Sequence, residues 1–160
     1  DAKFVFGEIG YNMQSTDIAA ALGLEKLKKL KRFAKKRESN FNRLHAFFKK
    51  HDVFTVPTVD RRVTTTWLAF PVTLTEKATF TRADITRHLE EKGIQTRPVF
   101  TGNVLRQPAF KNIEHRGRPN DEYPNADYIM RNSFLIGCNH GLSVEELRYV
   151  ENTVSEFLSR

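Results

Sequence analysis

Cysteine is almost absent from this chain, and its scarcity excludes two kinds of site. Cys138 is the one cysteine in 160 residues, so the chain holds no internal disulfide and no zinc site of the CxxC kind. The five histidines show none of the spacings that bind a metal, and no Ser or Cys stands in the sequence setting of a nucleophile. We therefore expect no metal site here, and we expect Cys138 to be a small buried strand residue.

Long apolar runs are missing as well. No stretch approaches the ~20 apolar residues needed to cross a bilayer, and no signal-peptide pattern is present. These absences predict a soluble, cytoplasmic protein with no membrane partner. A glycine-rich phosphate-binding loop, internal repeats and low-complexity tracts are also lacking.

The hydrophobic content that is present suffices for one folded domain. Hydrophobic residues make up 39% of the chain and include 13 Phe, enough to build a core in a chain of 160 residues. The chain begins at Asp1 without a methionine and in the middle of a pattern. We therefore expect a piece of a longer protein.

The net charge of +7 is concentrated in one segment. Residues 26–50 hold 11 Lys or Arg against the single acid Glu38, whereas the rest of the chain is slightly acidic. A basic helix of this kind suits nucleic acid, a membrane surface or an acidic partner domain, and a solvated helix face is the plainest alternative. Eight of the 11 are Lys, and no nucleic-acid-binding motif accompanies them, so a stand-alone nucleic-acid-binding module is kept only as an alternative.

A long amphipathic helix is predicted to begin near Thr16, which is a good N-cap. If it is continuous from Asp17 to Lys50, it is ~50 Å long. Apolar residues recur at alternating spacings of three and four and predict one buried stripe, formed by Leu27, Leu30, Ala34, Phe41, Leu44 and Phe48. Arg37 lies in the same stripe, which leaves a kink, a break or an ion pair open at that position.

The rest of the chain alternates strand-like and helix-like segments. Strands are predicted at 63–74, 94–100 and 134–138, with Pro71 forcing an edge or a bulge. Helices are predicted to start at two capping boxes and at one N-terminal proline: Thr81 with Asp84, Ser143 with Glu146, and Pro124.

Two stretches are predicted to lack regular structure. Residues 51–62 are interpreted as a connection, and residues 101–124 as a long irregular loop. Loops of that length in compact domains are typically either functional or disordered. Together the elements predict a two-layer α/β sandwich, an α+β fold with about three strands, helices mainly on one face and the long first helix beside them. The sequence leaves the strand directions open.

Anion-binding side chains gather near the predicted strand and loop ends. They are Arg97, Asn103, Arg106, Arg116 and Arg118. Arginine suits phosphate and carboxylate because its planar fork donates two parallel hydrogen bonds. A nucleotide-diphosphate sugar is such a ligand. Each arginine taken singly is better explained as a solvated surface residue, and it is their grouping in one loop that makes an anion site an equal alternative.

Two motifs carry a resemblance to a known family. Gly10-Tyr11-Asn12, followed by the helix start STDIAAALGLEKL at residues 15–27, resembles the small C-terminal domain of the DegT/DnrJ/EryC1/StrS family of vitamin B6-dependent sugar aminotransferases and dehydratases. The stretch GNVLRQP at residues 102–108 resembles the branch of 3-dehydrases that act on nucleotide-linked 4-keto-6-deoxyhexoses. The resemblance covers nearly the whole chain.

The resemblance implies a fold, a cofactor and roles for single residues. It implies the small C-terminal domain of the aspartate-aminotransferase-like fold, with a largely antiparallel sheet, in a homodimer that uses pyridoxal or pyridoxamine phosphate. Asn12 would reach across the dimer interface to the cofactor phosphate, although Gln14 replaces the basic residue that many members have two positions later. Arg97, Asn103 and Arg106 would border the nucleotide-sugar site.

The resemblance also implies that the catalytic residues lie outside this chain. The cofactor-binding large domain is absent, so no catalytic residue is assigned and the isolated chain is expected to be inactive. The expected function is that of a 3-dehydrase in deoxysugar and lipopolysaccharide O-antigen biosynthesis, with a sugar aminotransferase of the same family as the alternative. An upstream lysine would mark the aminotransferase and a histidine the dehydrase. Some dehydrases carry an iron–sulfur cluster, and whether this protein does is left open.

Overall fold

The computed structural model describes residues 8, 10, 11, 13–110, 112–117 and 123–160. The chain divides into two compact units, residues 1–33 and residues 34–160. The described residues form four α-helices and four β-strands. No helix among them is long and apolar enough to span a membrane. Nor do the described residues include a group of three or more His, Cys, Asp or Glu side chains able to hold a metal ion.

The first helix, α1, runs from Asp17 to Phe48. It begins where predicted, because the Thr16 hydroxyl accepts a hydrogen bond from the Ala19 amide at 3.2 Å. Leu27 and Leu30, expected in the buried stripe, are instead 64% and 55% exposed. That part of the prediction is wrong because periodicity identifies the apolar face of a helix without showing whether anything packs on it.

The C-terminal half of α1 does carry the predicted core side chains. Phe41, Leu44 and Phe48 are all at most 2% exposed. Arg37, the charged member of the stripe, is half-buried, and its Nη1 donates to the Trp67 carbonyl at 3.4 Å. The helix is unbroken at this position.

The four strands form one antiparallel sheet. They are β1 (Phe54–Thr55), β2 (Ala69–Leu74), β3 (Thr96–Pro98) and β4 (Ser133–Gly137), in the order β1-β2-β4-β3. The sheet has one strand more than predicted, since β1 lies in the segment predicted to be a connection. Two residues are too few to leave a periodic signal, and only their pairing with β2 makes them a strand.

Pro71 lies in β2 opposite Leu135 of β4, in a register that runs without interruption from Ala69 to Thr73. On the other side of β2, β1 pairs only with Thr73 and Leu74. Pro71 therefore has an open edge beside it, and its missing N–H removes no ladder hydrogen bond there. The predicted edge strand or bulge is therefore not formed, because β2 is internal to the sheet and pairs continuously with β4, and the proline is accommodated where β1 does not reach.

Three further helices complete the fold: α2 (Arg82–Glu91), α3 (Pro124–Asn132) and α4 (Val144–Leu158). Both predicted capping boxes are formed, at Thr81 with Asp84 and at Ser143 with Glu146. The core joins the inward side chains of the sheet to α1, α2 and α4, with Phe70, Val72, Phe134, Ile85, Leu89 and Val154 among its buried members. Cys138 is fully buried one residue beyond β4, and burial raises the pKa of its thiol to about 11. The α+β prediction is confirmed.

Candidate functional site

The predicted site residues lie in β3 and in the loop that follows it. Arg97 is the middle residue of β3, and Asn103 and Arg106 belong to a 3-10 turn at Val104–Arg106 whose N-cap is Asn103. A second 3-10 turn, Pro108–Phe110, follows. The predicted irregular loop therefore contains two short helical turns. We call residues 99–108, the first part of the segment between β3 and α3, the β3–α3 loop.

Asn103 and Arg106 meet at one carboxylate that sequence reasoning missed. Asp127, in the first turn of α3, accepts hydrogen bonds on Oδ1 from Asn103 Nδ2 at 2.8 Å and from Arg106 Nε at 3.1 Å. Its Oδ2 accepts from Arg106 Nη2 at 2.9 Å. Arg106 thus grips Asp127 with one edge of its guanidinium, which is the geometry of a strong, charge-assisted pair.

The Asp127 carboxylate is covered, whereas the Arg106 side chain is open to solvent. The side chain of Asp127 is 12% exposed and that of Arg106 is 49% exposed. Asn103 is 4% exposed, and its Oδ1 accepts the Leu105 amide at 3.1 Å, which closes the 3-10 turn. The hydrogen bonds from Arg106 and then from Asn103 lower the pKa of Asp127 to about 2, so it is ionised at any physiological pH.

A close backbone contact also fixes the β3–α3 loop to α3. Gly102 has φ +64°, and a Cβ atom at this position would lie 2.4 Å from Cβ of Met130. Only glycine combines this left-handed conformation with such an approach. Met130 lies three residues after Asp127, on the same side of α3, so the loop rests on one face of that helix.

Arg97 has a different environment. Its side chain makes no hydrogen bond or ion pair to any residue that the structure describes, and it is exposed. It lines a groove of about 300 Å³ together with Leu68, Phe100 and Leu135. Leu135 alternates along β4 with the buried Phe134 and Ile136, so the groove lies on the sheet face that is turned away from the core. The groove offers an accessible cation beside an apolar floor.

Among the predicted site residues that the structure describes, it brings together two. Asn103 and Arg106 share Asp127, whereas Arg97 stands apart in the groove. Arg116 is exposed, and Arg118 and Asn12 lie outside the described residues. Asp127 was missed because an acid in the first turn of a helix looks like an ordinary partner of the helix dipole, and nothing in the local sequence pairs it with Arg106.

The model of the DegT/DnrJ/EryC1/StrS aminotransferase family matches residues 1–155. The chain belongs to this family. The resemblance to this family is thereby confirmed.

Individual relatives of the family match nearly all of the chain. It is 35% identical over 158 residues to the lipopolysaccharide biosynthesis protein RfbH of Salmonella typhimurium, covering 98% of this chain and 36% of that protein. It is 32% identical over 160 residues to the dTDP-4-dehydro-2,6-dideoxy-D-glucose 3-dehydratase of Saccharopolyspora spinosa, covering 100% of this chain and 34% of that protein. The chain thus spans little more than a third of the length of these relatives.

Solved structures of the family have the same fold. The GDP-4-keto-6-deoxy-D-mannose-3-dehydratase of E. coli with bound hydrated PLP superposes with a TM-score of 0.81 at 28% identity, covering 94% of this chain and 38% of that one. DesV of S. venezuelae, at 19% identity, superposes with a TM-score of 0.84 over 99% of this chain and 40% of that one. The predicted fold, the small domain of an aminotransferase-like family, is confirmed.

The covered carboxylate that contacts the β3–α3 loop does not suit the pyridine nitrogen of a pyridoxal phosphate cofactor. The pyridine nitrogen of pyridoxal or pyridoxamine phosphate pairs with a carboxylate side chain of the protein. The covered carboxylate of this site, Asp127, is already neutralised by Arg106. We therefore assign no cofactor-holding residue to the described part of the chain and derive no step through the cofactor.

Proposed function

We propose that this chain is the C-terminal small domain of a pyridoxamine- or pyridoxal-phosphate-dependent 3-dehydrase that acts on nucleotide-linked 4-keto-6-deoxyhexoses. The observation that carries the proposal is the similarity of the chain, over almost its whole length, to relatives named as 3-dehydratases of nucleotide-linked sugars. The similarity to RfbH supports a role in making deoxysugars for lipopolysaccharide O-antigen. We expect the enzyme to work in the cytoplasm.

The contribution of this domain to the reaction is binding and positioning. In the proposal, Arg97 contacts a phosphate or sugar oxygen of the substrate from its groove, where its guanidinium is exposed beside Phe100. Asn103 and Arg106 border the same substrate from the β3–α3 loop. Asn12 contacts the cofactor phosphate of the neighbouring subunit in a homodimer. The cofactor, when bound to the large domain, supplies an electron sink for the loss of the C3 hydroxyl.

The proposal is tested with the full-length protein loaded with pyridoxamine phosphate. Incubation with a nucleotide-linked 4-keto-6-deoxyhexose is expected to remove the C3 hydroxyl, which NMR of the sugar ring detects directly. The isolated 160-residue chain is expected to give no turnover in the same assay. Retention of the C3 hydroxyl by the full-length protein with GDP-, dTDP-, CDP- and UDP-linked substrates would contradict the proposal.

A sugar aminotransferase of the same family is the second candidate. It is supported by two further relatives, a UDP-4-amino-4,6-dideoxy-N-acetyl-beta-L-altrosamine transaminase at 24% identity and a GDP-perosamine synthase at 30% identity. The same assay separates the two reactions when glutamate is added. An aminotransferase yields a 4-amino sugar that keeps its C3 hydroxyl, whereas the dehydrase yields a 3-deoxy sugar.

A further inference from the structure

We propose that Asp127 is a positioning residue that orients Arg106 toward an oxyanion of the nucleotide-sugar substrate. Asp127 does not touch the substrate in this proposal; it acts through the guanidinium that it holds. The inference rests on the proposed function, because it assumes that the β3–α3 loop borders a nucleotide-sugar site.

The geometry of the ion pair indicates that the covered carboxylate of Asp127 orients the exposed guanidinium of Arg106. Asp127 takes the Nε–Nη2 edge of Arg106 with both carboxylate oxygens, at 3.1 and 2.9 Å, which fixes the plane of the guanidinium. The Arg106 side chain remains 49% exposed while that of Asp127 is 12% exposed. An arginine ordered in advance loses less rotamer freedom when it binds an anion.

Two further contacts hold the turn that carries Arg106 against α3. Asn103 holds the same Oδ1 atom of Asp127 at 2.8 Å and caps the turn that carries Arg106. Gly102 lies against Met130 of the same helix, so the loop is attached to α3 on both sides of the turn. A binding group is most effective when the residues around it leave it one orientation, and this loop is built in that way.

The rival explanation is that the pair only stabilises the loop, and the chain offers a matched control for it. Arg43 of α1 grips Glu151 of α4 in the same manner, with Nε and Nη2 each 2.7 Å from a carboxylate oxygen. The exposures are comparable, 30% for the Arg43 side chain and 18% for Glu151. Neither residue lies in the β3–α3 loop or in the groove of Arg97.

The experiment compares Asp127→Asn with Glu151→Gln in the full-length holoenzyme. Each substitution keeps the size of its side chain and removes one charge. Affinity is measured by calorimetry with a panel of GDP, dTDP, UDP and CDP, and the variants are then studied with the nucleotide that wild type binds best. Thermal unfolding of every variant is recorded alongside, because both substitutions are expected to lower stability to a similar extent.

The positioning role predicts a selective loss of affinity. Asp127→Asn should weaken nucleotide binding about five- to thirtyfold and raise KM more than it lowers kcat, while Glu151→Gln should stay within about twofold of wild type. In an Arg106→Gln background, Asp127→Asn should cause no further loss of affinity, since its effect passes through Arg106. Should Asp127→Asn not fold, Asp127→Glu replaces it: it keeps the charge, displaces the guanidinium and is expected to lose affinity as well.

Two results would overturn the inference while leaving the proposed function standing. One is a loss of affinity in Asp127→Asn no larger than that in Glu151→Gln at equal loss of stability. The other is an undiminished effect of Asp127→Asn when Arg106 is already replaced. Failure of the proposed function has a separate signature, in which the wild-type holoenzyme binds none of the four nucleotides and removes no C3 hydroxyl; the inference then falls with it.

Discussion

Gly102→Ala is the substitution whose cost the structure determines most directly. The φ angle of +64° places Gly102 in the left-handed region, where an alanine costs about 1 kcal/mol after allowing for its smaller unfolded-state entropy. The new Cβ would also lie 2.4 Å from Cβ and 2.8 Å from Cα of Met130. These atoms belong to α3 itself, so the loop or the helix has to shift, at a further ~1–3 kcal/mol. We expect a total cost of about 2–4 kcal/mol.

Gly93→Ala is the matched control for this substitution. Gly93 also has a positive φ, +76°, but a Cβ there would meet nothing within 4 Å. Its replacement should therefore cost only the conformational part, about 1 kcal/mol. The difference between the two variants isolates the contact of the loop with α3.

Equilibrium urea unfolding of the 160-residue chain measures both costs. Met130→Ala should not rescue Gly102→Ala, because alanine keeps the Cβ atom that the new methyl group would meet. If Gly102→Ala is no less stable than Gly93→Ala, then the β3–α3 loop does not rest on α3 as described. The turn that carries Arg106 would then lack one of the contacts that attach it to α3.

Four further predictions concern the core, the ionised site and the proposed ligands. Leu44→Ala should cost ~2–5 kcal/mol in urea unfolding because Leu44 is fully buried, whereas Leu27→Ala should cost almost nothing because Leu27 is 64% exposed. The pKa of Asp127 is lowered to about 2, so its stabilising effect is complete above pH ~4 and is lost as the pH falls toward 2. Asp127→Asn should therefore flatten the pH dependence of the free energy of unfolding between pH ~4 and ~2. An unchanged pH dependence in this range would contradict the ion pair between Asp127 and Arg106. Arg97→Lys in the full-length enzyme should raise KM without changing the melting temperature, because the Arg97 side chain makes no hydrogen bond or ion pair to a described residue and a lysine cannot reproduce its planar fork. Unchanged kinetics would remove Arg97 from the site. Asn12→Ala should weaken cofactor retention roughly ten- to hundredfold. In heterodimers that combine Asn12→Ala with an inactivating substitution in the large domain, activity should depend on whether the two substitutions lie in the same subunit or in different ones. Equal activity in the two heterodimers would make Asn12 a turn residue only.

The helices were the most predictable part of this fold because their signals are local. The residues that cap a helix lie within three positions of the amides they satisfy, as Ser143 and Glu146 do at the start of α4. α4 starts at Val144, directly after the predicted N-cap Ser143. Pro124 likewise opens α3, since its ring fits the first turn and no intrahelical N–H is needed there.

The strands were less predictable because their pairing depends on residues far away in sequence. The two residues of β1 become a strand only by pairing with Thr73 and Leu74. The predicted strand at 94–100 shrinks to the three residues of β3 that face β4, and the predicted strand at 63–74 begins only at Ala69. The β propensity of the residues thus predicted roughly where these strands lie, whereas pairing with neighbouring strands determines the residues at which each strand begins and ends.

Arg97 and Arg106 show why the site was harder to predict than the fold. In the sequence they are equivalent: both are arginines close to a proline, at the end of a strand or in a loop. In the structure Arg106 is bound along one edge by Asp127, whereas the Arg97 side chain has no partner among the described residues. The distinction depends on Asp127, which lies 21 positions beyond Arg106 and is brought to it by the packing of Gly102 against α3.

In the proposed function, Arg106, which is paired with Asp127, and Arg97, which has no partner among the described residues, contribute differently to substrate binding. A paired arginine adds little net charge and cannot turn freely, so what it contributes is direction. An unpaired, exposed arginine contributes attraction over a longer range but holds no fixed geometry of its own. In the proposed function, the groove of Arg97 would therefore attract the anionic substrate, and the β3–α3 loop would orient it. On this reasoning, raising the salt concentration should weaken the contribution of Arg97 to nucleotide binding more than that of Arg106, whose geometry is maintained by the partly covered pair with Asp127.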